Sequence, residues 1–103
     1  MKTVIEIRQQ LANGDFEFSY HAFRRAVERN ISELEIRQAG AAATLIEDYP
    51  HDKYSPSCLL LGFTQASRPL HFQVSRADTD LVKIITLYQP DAAQWYNGYT
   101  RRR

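Results

Sequence analysis

With one cysteine, four glycines and four prolines in 103 residues, the chain has little but its hydrophobic pattern to organise it. A single thiol, Cys58, excludes an intrachain disulfide and fits a reducing compartment. Set in the apolar run "CLLLGF", it reads as a small buried residue rather than a nucleophile. No apolar run approaches the roughly 20 residues of a membrane span. The opening "MKTVIEIRQQLANG" carries charges throughout and lacks the apolar stretch of a signal peptide. The expectation is a soluble, cytoplasmic protein without a membrane partner.

Charge of one sign is missing as well. Thirteen Lys and Arg stand against twelve Asp and Glu, a formal net charge of +1, so any site for an anion must be a local concentration of charge. There is no glycine-rich phosphate loop and no cysteine pair, which leaves nucleotide and redox cofactors without support. The three histidines have neither the helix-pair nor the loop-pair spacing of metal ligands. No cofactor and no metal are expected.

What is present suits one globular domain over residues 1–103, with 44% apolar and 12% aromatic residues. Val4, Ile7 and Leu11 recur at helical spacing, and Asn13-Gly14 ends that first helix. "DFEF" reads as a short connection in which Phe16 and Phe18 clamp together. Ser19 is a good N-cap for a second helix, Tyr20 to Arg29, with Phe23, Ala26, Val27 and Asn30 as its buried stripe. Ser32 and Glu35 form a capping box for a third helix that offers Leu34, Ile36 and Ala39 to the core. From Thr44 the period changes to two, giving four strands: "TLIEDY", "CLLLGFT", "PLHFQVS" and "LVKIITLY". The C-terminal "DAAQWYNGYTRRR" adds at most a short helical turn before a basic tail. The predicted class is α+β, with N-terminal helices on one face of a four-stranded, mainly antiparallel sheet.

The short loops "QASR" and "ADTD" predict a register. Pairing Arg76 with Leu81 sets His71 opposite Thr86. Joining Thr64 to Pro69 sets Gly62 beside His71 and Leu61 beside Phe72. The large apolar residues then share one face. His71, Gln73, Thr86 and Tyr88 share the other, with Gly62 leaving space over the imidazole. Such a face is either a small site or the wet side of a half-exposed sheet.

The stretch "FSYHAFRRAVERN" places His21, Arg25 and Arg29 at i, i+4 and i+8, a row along one helix face. Arg24 and Glu28 form an ordinary i, i+4 pair, and His51 reads as exposed in a polar loop.

Taken in order, "SYHAFRRAVERNIS", "EDYPHD", "CLLLGF", "RPLHFQV" and "IITLYQP" resemble the motifs of a bacterial domain-of-unknown-function family, number 4258. That family is grouped with the RelE/ParE-like toxins and, more widely, with barnase-like nucleases. The resemblance covers about residues 18–90. It implies a RelE-like fold and a toxin-type endoribonuclease of a toxin–antitoxin-like system, cutting RNA without metal, with RNA and an antitoxin-like protein as partners. Carried over residue by residue, it marks His21, Arg25, Arg29, His71, Thr86 and Tyr88 as the catalytic candidates. The residue types suit the task. Histidine exchanges protons near neutral pH, arginine matches a phosphate whose charge grows, and tyrosine stacks on a base or donates a hydrogen bond.

Two observations set limits on that reading. The chain is nearly neutral, whereas ribosome-dependent toxins of the superfamily are basic. Helices over the Leu70/Phe72 face would also leave the helix row and the His71 cluster on opposite sides of the sheet, to meet only at its edge. The alternative is a catalytically inactive RelE-like domain that binds a protein or nucleic acid. Trp95, Tyr96 and Tyr99 with the terminal arginines would suit docking. They equally suit a frayed terminus, or Trp95 closing the core.

Overall fold

The computed structural model describes residues 1–103. Three helices, α1 (Val4–Asn13), α2 (Tyr20–Glu28) and α3 (Glu33–Ala41), accompany strands β1 (Phe16–Phe18), β2 (Thr44–Tyr49), β3 (Ser57–Phe63), β4 (Pro69–Ser75) and β5 (Val82–Tyr88). A terminal hairpin, β6 (Trp95–Tyr96) and β7 (Arg101–Arg102), forms a separate two-stranded ribbon. The α+β class is as expected, and no helix is long and apolar enough to cross a membrane.

The helices start where side-chain oxygens meet orphan backbone amides. Thr3, Ser19 and Ser32 each accept from an amide in the first turn, and Ser32 with Glu35 completes the capping box. Alternation builds the sheet. Cys58, Leu60, Leu70, Phe72, Val74, Val82, Ile84 and Leu87 point to the side where Ile7, Leu11, Ala22, Ala26, Ile36 and Ala39 wait, all within one buried cluster. Burial of that shared apolar surface holds the two layers together.

Four sequence expectations are corrected. The sheet has five strands, in the order β1-β5-β4-β3-β2, because "FEF" is a strand and not a connection. It pairs in parallel with β5, Phe16 with Val82 and Phe18 with Ile84, a partner too distant in sequence for local pattern to reveal. The tail forms the β6–β7 hairpin, not a helical turn alone. On α2 the buried residues are Ala22 and Ala26, while Phe23, Val27 and Asn30 are exposed; on α3 Leu34 is exposed as well. Small side chains let α2 lie close on the sheet, and the large ones turn outward.

The register correction matters most for function. His71 pairs with Tyr88 and Gln73 with Thr86, two residues from the expected alignment, so each side chain keeps its face. Between β3 and β4 the shift is one residue. Phe63 pairs with Pro69 across a five-residue turn, Thr64 to Arg68, whose Ser67 adopts φ 65°. Leu61 therefore lies beside His71, and Gly62 moves to the helix side against Leu70. There a Cβ would stand 2.0 Å from the carbonyl oxygen of Ala39, so the absence of a side chain admits α3, not a ligand.

Candidate functional site

The second face of the sheet carries polar side chains in rows. Glu47 lies across from Leu59, Gln73 and Thr86, and Leu61 from His71 and Tyr88. The β6–β7 hairpin closes over the His71 end. Trp95, only 4% exposed, meets the imidazole edge-on with centroids 4.4 Å apart, so of the readings of the tail the one that buries Trp95 is realised.

His71 is fully buried. One ring nitrogen, Nε2, lies 2.9 Å from the carbonyl oxygen of Tyr99, and Nδ1 lies 3.2 Å from the Tyr88 hydroxyl. A carbonyl can only accept, so Nε2 carries the proton and donates, and Nδ1 of the neutral ring accepts from the phenol. Burial holds the imidazole below its ordinary pKa, against the opposing pull of the Tyr99 carbonyl and of Glu47. In this closed arrangement no lone pair of His71 faces solvent. Burial acts in the opposite direction on Tyr88 and pushes its phenol above the ordinary pKa.

Beyond Tyr88 stands Arg29. Strand β1 stops at Phe18, so the edge of β5 past Ile84 has no strand to pair with, and side chains take its carbonyls. The Ser19 hydroxyl donates to Ile85 at 2.9 Å and Arg29 donates to Leu87 at 2.9 Å. The Arg29 guanidinium sits 6.0 Å from the centre of the Tyr88 ring. Arg68 secures this corner by donating to the Arg29 and Asn30 carbonyls and to Glu35.

The sequence candidates thus divide. His71, Tyr88 and Arg29 form one continuous path around the sheet edge, and Thr86, half-buried opposite Gln73, shares the face of the first two. His21 and Arg25 do not join them. They line a hollow of about 220 Å³ with Tyr20, Arg24 and Glu28 on the outer side of α2, where Arg25 donates to Glu28 at 2.9 Å and His21 makes no hydrogen bond. No surface hollow reaches His71.

Sequence reasoning missed a second cluster on the same face. Burial pushes the Glu47 carboxyl up, but hydrogen bonds from Arg102 and Tyr49 outweigh it and hold the pKa below the ordinary value. Arg102 grips Glu47 bidentately, at 2.9 and 3.0 Å, and its own pKa is raised by that carboxylate. Tyr49 donates to Glu47 from two residues along the strand. The spacing of Glu47 and Tyr49 in "TLIEDY" was the available signal, because alternate strand residues share a face. No three of the His, Cys, Asp and Glu side chains converge as metal ligands would.

The fold and face so described are those of a small α+β domain with one covered and one hairpin-capped sheet surface. The chain belongs to the family described as Domain of unknown function (DUF4258), whose match covers residues 18–89, more than half of the chain. No curated protein and no solved structure matches it. The matched stretch contains Glu47, His71, Tyr88 and Arg29 and ends before the terminal hairpin.

Proposed function

We propose that the chain is a RelE-like domain that works as a protein-binding module, with α2 as its recognition element. The observation that carries this reading is the outward row Tyr20, Phe23 and Val27, which are 78%, 55% and 66% exposed. Contiguous exposed apolar side chains are the feature by which soluble proteins meet partners. Phe23 and Val27 border a groove of about 390 Å³ whose remaining apolar lining is Phe18, Ala26 and Ile31. Arg24 flanks the row with its guanidinium 5.9 Å from the centre of the Tyr20 ring, Arg25 and Arg29 lie on the other side of the helix, and the charged residue lining the groove is Glu33. A partner helix with apolar residues at helical spacing fits the groove. An antitoxin-like protein is the partner expected from the family resemblance.

The test is fluorescence anisotropy with two synthetic peptides of one composition, one amphipathic as a helix and one scrambled so that its apolar residues share no face. The amphipathic peptide should bind, and Phe23→Ser with Val27→Ser should weaken it at least tenfold. Equal binding of both peptides, or indifference to the double substitution, would overturn the reading.

A metal-independent endoribonuclease of the toxin type is the second reading. The path from His71 through Tyr88 to Arg29 favours it, since it joins an imidazole, a phenol and a cation, side chains able to serve cleavage at a 2′-hydroxyl once the terminal hairpin uncovers the ring. RNA incubated in EDTA with the wild-type chain, His71→Ala and His21→Ala decides. Ends carrying 2′,3′-cyclic phosphate, lost in His71→Ala, would put this reading first.

A further inference from the structure

The β6–β7 hairpin closes the polar sheet face with unusually little. No backbone–backbone hydrogen bond links residues 91–103 to the rest of the chain; the bonds from Gln94, Trp95, Thr100 and Arg103 all end within the segment. What attaches it are side chains: His71 to the Tyr99 carbonyl, Glu47 to Arg102, Tyr49 to Arg102, and Trp95 against His71. Its turn holds three consecutive residues in the left-handed region, Asn97 (φ 54°), Gly98 (φ 66°) and Tyr99 (φ 69°). For the two that are not glycine this costs about 1 kcal/mol each, so contacts with the sheet must sustain the closed form. Between the hairpin and β2 a hollow of about 600 Å³ remains, lined by Thr44, Glu47, Tyr96, Asn97 and Thr100 among others. The hairpin occupies this groove without filling it.

The chemistry is equally lopsided. The sheet contributes Glu47, Tyr49 and a donating imidazole nitrogen; the hairpin contributes Arg102, a carbonyl oxygen and an aromatic ring that stacks on the guanidinium at 4.8 Å. The ion pair that fastens the hairpin is open to water, with the Arg102 side chain 61% exposed, and an exposed pair of this kind holds weakly and is screened by salt. The acidic half belongs to the stretch that matches the family, and the basic half follows it.

We infer that the hairpin is a releasable strap, and that the face beneath it is a binding site for an arginine-bearing peptide hairpin, which takes the Glu47 carboxylate and the His71 Nε2–H when the strap lifts. The strap itself spells the ligand: an aromatic anchor (Trp95), a free carbonyl four residues on (Tyr99) and an arginine three beyond that (Arg102). In the intact chain the tethered copy competes at an effective concentration on the order of millimolar. This site lies on the sheet face away from the helices and is independent of α2 recognition.

A labelled peptide of sequence QWYNGYTRRR is titrated by anisotropy into the full-length wild-type chain and into the full-length double variant Trp95→Ala, Arg102→Ala. The variant should bind the peptide at least tenfold more tightly than the wild type does. Glutamine in place of the peptide's middle arginine, or Glu47→Gln in the protein, should abolish the gain. Equal affinity for wild type and variant, or a gain indifferent to either change, overturns the inference. Should the variant not fold, the wild-type chain supplies the answer by NMR. The protection of the His71 Nε2–H, taken relative to a free imidazole, should be at least a hundredfold smaller than that of the Phe72 amide of the core relative to a free amide. Equal protection would mean that the strap opens only when the whole domain unfolds, and the inference would fail.

Discussion

Replacing Gly62 by alanine tests which face of β3 looks at the helices. The added Cβ would lie 2.0 Å from the Ala39 carbonyl oxygen and 2.6 Å from its carbon. Carbon and oxygen come no closer than about 3.3 Å without repulsion, so α3 must retreat by about 3.3 − 2.0 = 1.3 Å. The obstacle is helix backbone, which cannot swing aside as a side-chain tip would. Retreat of α3 loosens Ile36 and Ala39 within the core cluster at once. Overpacking costs about 1–3 kcal/mol in general, and a backbone clash belongs at the upper end, about 3 kcal/mol. For a domain of this size that lowers Tm by roughly 12–24 °C. Thermal unfolding followed by circular dichroism measures it. Gly98→Ala is the control: no atom lies within 4 Å of its Cβ, and only the cost of φ +66° applies, about 1 kcal/mol. Had Gly62 instead faced open space beside His71, alanine would be tolerated and would gain about 0.4–1 kcal/mol by stiffening the unfolded chain. A Gly62→Ala protein as stable as wild type would therefore refute the β3–β4 register, and with it the placing of Leu59 and Leu61 on the His71 face.

Two further outcomes bear on the buried groups. Because burial depresses the His71 pKa, the unfolded chain takes up a proton near pH 6.5 that the folded chain refuses. The His71 contribution is thus complete above about pH 6.5 and is lost as pH falls towards the folded value. Between pH 7 and 5.5 the urea midpoint of the wild type should fall more steeply than that of His71→Gln, and parallel curves would contradict the assignment. Burial also pushes the Cys58 thiol up to about 11, so iodoacetamide at pH 8 should leave the native chain unlabelled and modify it once guanidinium unfolds it. Rapid labelling of the native chain would place Cys58 at the surface.

Much of this molecule was legible in the sequence where its cause is local. Ser19, Ser32 and Glu35 announced two helix starts because capping is settled within one turn. Alternation located β2 to β5 and grouped His71, Gln73, Thr86 and Tyr88, since a two-residue slip against β5 leaves every side chain on its face. The one-residue slip at Gly62 did not forgive error, and its cause was one extra residue in the Thr64–Arg68 turn. Strand β1 escaped notice because three residues carry almost no periodic signal and their partner lies far along the chain. Phe23 and Val27 matched the pattern of a buried stripe, but Ala22 and Ala26 give closer contact with the sheet and took that place. Glu47 and Arg102 are 55 residues apart, and no local rule joins them.

The position of β5 between β1 and β4 constrains how the chain is made. Phe16 must wait for Val82, 82 − 16 = 66 residues later, before it has a neighbour. The β2–β3–β4 meander can form as it leaves the ribosome, but β4 then shows an unpaired edge and a bare apolar face. The three helices, synthesised first, have only a partial sheet to cover. Closure of the core therefore coincides with the arrival of one late strand, and such non-local pairing is slow. A nascent chain stalled before residue 82 exposes both the sheet edge and the helix undersides, the state that holdase chaperones recognise.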